Sequence, residues 1–325
     1  MTHCPSLAAR LAIATTLALA AVVATAQPAF PSKPIRIILP FPAGGSTDPI
    51  ARLIGQKLTD AWAQPVIVDN KPGANTIIGT EALTKAPADG HTLLYTASTH
   101  VINPLLVASL PYDSVKDFQP VAAIVRSEFV LVVHPSVPAN NLKEFIALAK
   151  ARPGSINYAI SGNGNPNHLA GEYFGMVAGV KLHSVPYKGG GPAINDLLGG
   201  QVQAMFSVPT AVAGHIKAGK LKAFGYTGAT PLPGLAVPSF AQAGLAEFDL
   251  NSWNGVFVAA GTPKPIVDKL SAEIGRILAQ PDVVEKLAAQ GQAPAYMSPD
   301  QFGAMLTADR QKYAQIIKTA NIKLD

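Results

Sequence analysis

Two glycine-rich stretches carry the residue types best suited to holding a small anion. In the first, Pro42-Ala-Gly-Gly-Ser-Thr-Asp48, the glycines follow the apolar run Ile35, Ile37, Ile38 and Leu39 and precede Ile50, Leu53, Ile54 and Leu58, which recur at helical spacing. In the second, Ser161-Gly-Asn-Gly-Asn-Pro-Asn167 lies between a short strand pattern, Asn157–Ile160, and a helical pattern from His168 to Ala178. A strand that turns through glycine into a helix start gathers unpaired N–H groups and the positive end of the helix dipole at one spot, which favours a carboxylate or phosphate. Ser46, Thr47 and Asp48 are good N-cap residues, and Pro49 suits a first helical position. An ordinary capped strand-to-helix turn has the same composition, so these residues leave both readings open.

Other chemistries find no support. Gly214-His-Ile-Lys-Ala-Gly-Lys-Leu221 has the spacing of a phosphate loop, but it ends in Leu and closes a helical pattern instead of opening one. Gly162-Asn-Gly-Asn-Pro-Asn167 lacks the third glycine of a dinucleotide turn. The seven histidines show no paired metal spacing, the single cysteine is Cys4, and no serine sits in a Gly-x-Ser-x-Gly elbow. The expectation is a chain without catalysis, metal or cofactor.

The elements that must position the two turns alternate between strand and helix. After the first helix come strand patterns at Pro65–Val68 and His91–Thr96, separated by a helix through Leu83, which makes a βαβαβ unit with its ligand crevice beyond the strand ends, near Gly44–Asp48 and Ala97–His100. A second unit begins at Phe129–Val133, continues through a helix at 142–151 capped by Asn140 or Asn141, and includes strands at His183–Tyr187, Gln201–Ser207 and Lys220–Tyr226. Phe248–Ala259 is again strand-like, and after it the pattern is helical throughout, at 263–278, 283–290 and 299–319. Helices with no sheet of their own must pack on an earlier one. The chain is therefore expected to return to its first unit, crossing near Val125–Phe129 and Asp249–Trp253, which makes a hinge and a cleft between two lobes.

The first residues read as a targeting segment: Arg10, the apolar run 11–23, and the small residues Ala24-Thr25-Ala26. Cleavage after about Ala26 would leave 299 of the 325 residues and, with Arg10 gone, a formal charge of +4 in place of +5. No later run reaches the roughly 18 apolar residues of a membrane helix. Scattered lysines and 7% aromatic residues disfavour a nucleic-acid groove.

Taken together, Pro34–Asp48, Asn70-Lys-Pro-Gly73, Ala86–Gly90, Tyr158–Gly164, Val185–Gly189 and Asp196–Val202 resemble the Bug, or tripartite tricarboxylate transporter, solute-binding protein family, in order along nearly the whole chain. The resemblance implies a two-lobed α/β periplasmic binding fold, type II-like, each lobe a mostly parallel sheet flanked by helices. Lobe 1 would comprise 27–126 and 252–325, and lobe 2 127–251. It further implies a monomeric periplasmic protein that captures a di-, tri- or aromatic carboxylate and presents it to membrane permease subunits. Carried over by position, the first-lobe site would be Phe41, Ala43, Gly44, Ser46, Thr47 and Asp48 with Ser98 and Thr99. Facing them would be Ser161, Asn163, Gly164, Asn165 and His168, then Tyr187, Lys188 and Gly189. Three positions depart from the family pattern: Ser207 stands where an acidic residue is frequent, Asn165-Pro166-Asn167 where small hydroxylated residues are usual, and Pro49 where an aliphatic residue is common.

Several of these residues have a structural reading beside the functional one. Asp48 is equally an N-cap, His168 a structural hydrogen-bonder, Lys188 a solvated turn lysine, and Trp253 either hinge packing or cleft lining. An alternative to transport also stands: a liganded protein that reports to a membrane histidine kinase.

Overall fold

The computed structural model describes residues 30–45, 47–228, 231, 232, 234–290 and 292–322. The expected targeting segment and Ser46 lie outside the described residues. Strand β1 (Ile35–Leu39) is buried at four of its five positions, as a central strand must be, and pairs in parallel with β2 (Val66–Asn70) on one side and β3 (Thr92–Ala97) on the other. Helix α1 (Asp48–Trp62) connects β1 to β2 and buries Ile50, Ala51, Ile54 and Leu58. Helices α2 (Ile77–Thr84) and α3 (Thr99–Leu106) precede and follow β3. This is the expected βαβαβ unit.

The sheet is then extended by strands that run the other way. β4 (Phe118–Ser127) carries the chain out, and β10 (Ser252–Ala259) brings it back, inserted antiparallel between β3 and β4 with Ser252 opposite Ser127 and Trp253 opposite Arg126. β11 (Ala293–Met297) closes the edge, giving the order β11-β4-β10-β3-β1-β2. Between the crossings lie β5 (Val130–Val133), β6 (Asn157–Ile160), β7 (His183–Pro186), β8 (Ala204–Ser207) and β9 (Lys222–Tyr226), ordered β7-β6-β8-β5-β9. Helices α4 (Leu142–Ala151), α5 (Pro166–Ala178), α6 (Gly190–Leu198) and α7 (Pro209–Lys217) connect these strands. The chain thus forms a two-lobed α/β fold.

Two details differ from the sequence expectation. Both sheets are mixed where mostly parallel ones were expected, because each outgoing or returning strand adds an antiparallel neighbour. The chain beyond Ala259 is not helical throughout: between α9 (Pro281–Ala289) and α10 (Pro299–Ala320) lies β11, whose Ala-Pro-Ala-Tyr-Met sequence has no alternation, and whose Pro294 is tolerated because the strand is at a sheet edge. Of the two candidate caps for α4, it is the Asn141 side chain that accepts from the Glu144 N–H.

The final helices do pack on the first lobe. α8 (Lys264–Leu278) buries Val267, Leu270, Ile274 and Ile277 in a cluster shared with Ile54 and Leu58 of α1 and with Val256. α10 touches α3 and β4, but it also packs on α5 of the second lobe, so Phe302 and Tyr313 belong to one core cluster with Phe145 and Phe174.

Helix α5 approaches its sheet closely at Gly171, where an added Cβ would stand 2.2 Å from the ring of buried Tyr158. Gly171→Ala is therefore expected to destabilise the protein by about 1–3 kcal/mol through overpacking. Gly214 of α7 has open space around it, so Gly214→Ala should be neutral or raise stability by up to roughly 1 kcal/mol. Urea denaturation midpoints of the two variants check the pair.

Candidate functional site

In the first glycine turn, Gly44 takes a left-handed conformation (φ 77°), and its N–H donates to the Asp48 carboxylate at 3.1 Å. The same carboxylate accepts from Arg52 Nε at 3.0 Å and from Asn70 Nδ2 at 3.0 Å, and Asn70 Nδ2 also reaches the Phe41 carbonyl at 3.1 Å. Asp48 is 6% exposed. Hydrogen bonding from Arg52, aided by Asn70 and the Gly44 N–H, holds its carboxyl below the usual range despite burial. Gly45 N–H turns back to the Pro42 carbonyl. Thr47 is the N-cap of α1 and its side chain makes no capping bond.

The second turn repeats this construction with a different side chain. Gly164 is left-handed (φ 71°), and its N–H donates to His168 Nδ1 at 3.1 Å. Accepting there fixes the neutral tautomer with its proton on Nε2, which stands 3.7 Å from Glu172. Glu172 accepts in turn from the buried Tyr158 hydroxyl at 2.6 Å. Burial pushes His168 down to about 4 and Glu172 up. Asn167 Oδ1 accepts from Ser161 Oγ at 2.9 Å and, more weakly, from Ser161 N–H at 3.4 Å, and Asn165 Nδ2 donates to the Ser161 carbonyl. Asn167 Nδ2 is buried without a partner among the described residues.

A cleft of about 780 Å³ lies between the two turns. Of the residues expected at a site, the structure brings Phe41, Thr47, Thr99, Ser161, Asn165 and Ser207 to its walls. The other described ones lie off it. Gly44 and Asp48 bond to each other behind the first turn, as Gly164 and His168 do behind the second. Ser98 is buried against Ser252, the Tyr187 hydroxyl is bound to Asp196, and Ala43, Asn163 and Lys188 are exposed. Gly189 caps α6 one residue before Gly190 and Gly191, which do line the cleft. Trp253 packs edge-on against Phe302 and donates to Asp309, away from the cleft.

Sequence reasoning missed Ser127, Phe129, Asn167, Ile194, Val208, Thr210, Ala211, Ser252, Asn254 and Gln292 at the walls. Thr210 was within reach, since Val208-Pro209 after β8 is a third strand-to-helix turn. Asn254 and Gln292 had no local signal: they arrive on or just before the returning strands β10 and β11. None of the described lining residues is Asp, Glu, Lys, Arg or His. Among the described lining residues, a negative charge on a ligand would meet neutral donors only. Among the described residues there is also no group of three His, Cys, Asp or Glu side chains able to hold a metal ion.

Two imidazoles, His168 and His100, are neutral in the folded protein down to about pH 4; His100 is enclosed by Phe118 and Phe257. Both would take a proton near 6.5 once unfolded. The unfolded chain then binds more protons between those values, so the stability they contribute is complete above about 6.5 and is lost as pH falls toward 4. The expected loss by pH 5 is on the order of 1–2 kcal/mol per histidine. Urea midpoints measured from pH 7 to 4.5 check this, and His168→Gln should flatten the slope.

Comparison with known proteins agrees with this architecture. The profile of the tripartite tricarboxylate transporter family receptor matches residues 50–322. Protein BugT of Bordetella pertussis is 38% identical over 300 residues, covering 91% of each chain. A solved periplasmic transporter structure is 39% identical with a TM-score of 0.79, covering 91% of this chain and all of that one. The R. palustris protein Rpa4515, solved with adipate, is 31% identical with a TM-score of 0.79, covering 90% of this chain and 99% of that one.

Proposed function

Because the chain belongs to the tripartite tricarboxylate transporter receptor family, whose members are periplasmic solute-binding proteins, we propose that it captures a small carboxylate between its lobes and delivers it to the membrane permease subunits of such a transporter. The observation that carries this reading is the cleft itself: about 780 Å³, walled from both lobes by helix starts and neutral donors. Backbone and amide donors in a site of low dielectric can hold an anion without a cationic side chain. The adipate held by the R. palustris relative supports a carboxylate as the ligand. The protein acts as an exported monomer, and residues 27–126 with 252–325, and 127–251, are the two moving lobes.

Hinge closure is part of the same reading. The crossings lie side by side as β4 and β10, where Ser252 faces Ser127. Helix α10 grips the second crossing: Lys312 Nζ donates to the Asp249 carbonyl at 2.8 Å, Tyr313 to the Asn251 carbonyl, and Asp309 accepts from Trp253 Nε1 at 2.9 Å. A ligand bridging the lobes favours the closed form by its differential affinity.

A thermal-shift screen against mono-, di- and tricarboxylates tests the reading, since a ligand that binds only the folded state raises its stability by RT ln(1 + [L]/Kd). At 100 Kd the expected gain is about 2.7 kcal/mol. Tight binding of a neutral sugar with no response to any carboxylate would overturn it. On binding, Trp253 fluorescence should change and small-angle scattering should give a slightly smaller radius of gyration.

A further inference from the structure

The residue that leads the chain into β11 holds an acceptor with nothing to accept. Of the buried side-chain N and O atoms that have no hydrogen-bond partner among the described residues, only Asn167 Nδ2 and Gln292 Oε1 belong to residues at the walls of the cleft. The Gln292 N–H donates to the Leu287 carbonyl at 2.9 Å, which fastens the backbone to the end of α9. Pairing across the sheet then sets where the side chain stands. Ala293 faces Arg126 and Pro294 faces Val125 in an antiparallel pair, so Gln292, one residue earlier, comes level with Ser127, which in turn faces Ser252. Opposed residues of neighbouring strands share a face. Gln292, Ser127 and Ser252 all line the cleft, and they form a row of amide and hydroxyl groups where the chain crosses between the lobes.

We infer that Gln292 is a specificity-determining residue, and this rests on the carboxylate reading above: its amide oxygen accepts from a hydroxyl of the ligand, so the ligand is a hydroxycarboxylate. A carboxylate ion is an acceptor only and has no proton to give Gln292. A ligand that brings an apolar or anionic group against this buried oxygen leaves it unpaired, which is costly. A hydroxyl suits the whole row: it donates once, to Gln292, and keeps two lone pairs with which to accept from the neighbouring serine hydroxyls. An ammonium group would donate as well, but no described residue of the walls is Asp or Glu to meet its charge.

Calorimetry at pH 7 with acids that differ only by a hydroxyl tests this: lactate against propionate, 3-hydroxybutyrate against butyrate, malate against succinate, and 4-hydroxybenzoate against benzoate. In at least one pair the hydroxy acid should bind tenfold or more tightly. Gln292→Met keeps the length of the side chain and removes the acceptor, so for that pair the ratio should fall at least fivefold, through weaker binding of the hydroxy acid. No pair reaching a tenfold ratio, or a ratio that falls less than fivefold in Gln292→Met, overturns the role of Gln292 and leaves carboxylate capture standing. Aspartate binding more tightly than malate overturns the hydroxyl as the donor. No acid of the eight binding overturns both readings. If Gln292→Met does not fold, Gln292→Leu takes its place, and failing that the pairs on the unaltered protein decide alone.

Discussion

A single hydrogen bond, made twice, is the constraint on which the cleft depends: a left-handed glycine donates its N–H to a side chain four residues later, in the first turn of the following helix. Gly44 donates to Asp48, and Gly164 to His168. Each bond ties the turn to the helix start and fixes which backbone groups remain for a ligand. A carboxylate and an imidazole serve the same geometry because both offer an in-plane acceptor, but they set opposite electrostatics. The carboxylate needs Arg52 and Asn70 to be tolerated in a buried place, whereas the imidazole stays neutral through burial and brings no charge to the cleft.

The second constraint is the pairing of the crossings. A chain that leaves a parallel sheet and returns to it must lay its outgoing and incoming strands antiparallel, and here β4 and β10 pair along their whole length. That pairing places Asn254 and Ser252 at the cleft and sets α10 beside the two crossings, where it touches both lobes. Hinge closure of the kind proposed would have to be accommodated at an interface already packed with Phe302 and Tyr313.

The local design was legible because it is written in neighbouring residues. The apolar run of β1, the glycines, Pro49 and the spacing of Ile50, Ile54 and Leu58 specify a strand, a turn and a helix whatever the remainder of the chain does. The same holds for 157–178. Legibility ended where a residue's role depends on what the fold brings to it from far away. Asp48 lies off the cleft because Asn70, 22 residues on, is there to receive it. His168 and Asn167 are neighbours in a helix, yet one faces the turn's glycine and the other the cleft, a difference set by the position of Ser161. Gln292 precedes an edge strand of alanine and proline that no periodicity announces. Its place at the wall exists only through pairing with β4.

Because the bonds that shape the two turns lie behind them, and although Phe129, Met205 and Phe206 of the wall belong to the core, the exposed part of the wall carries little of the fold. Ile194, Val208, Thr210 and Ala211 are partly or fully exposed at the walls, while Asp48, His168 and Tyr158 are buried and do not line the cleft. Duplicated copies of such a gene can diverge at the wall positions without disturbing the turns that make binding feasible. One scaffold can then furnish a lineage of receptors whose cargo differs and whose stability does not, each substitution open to selection for the compound it admits.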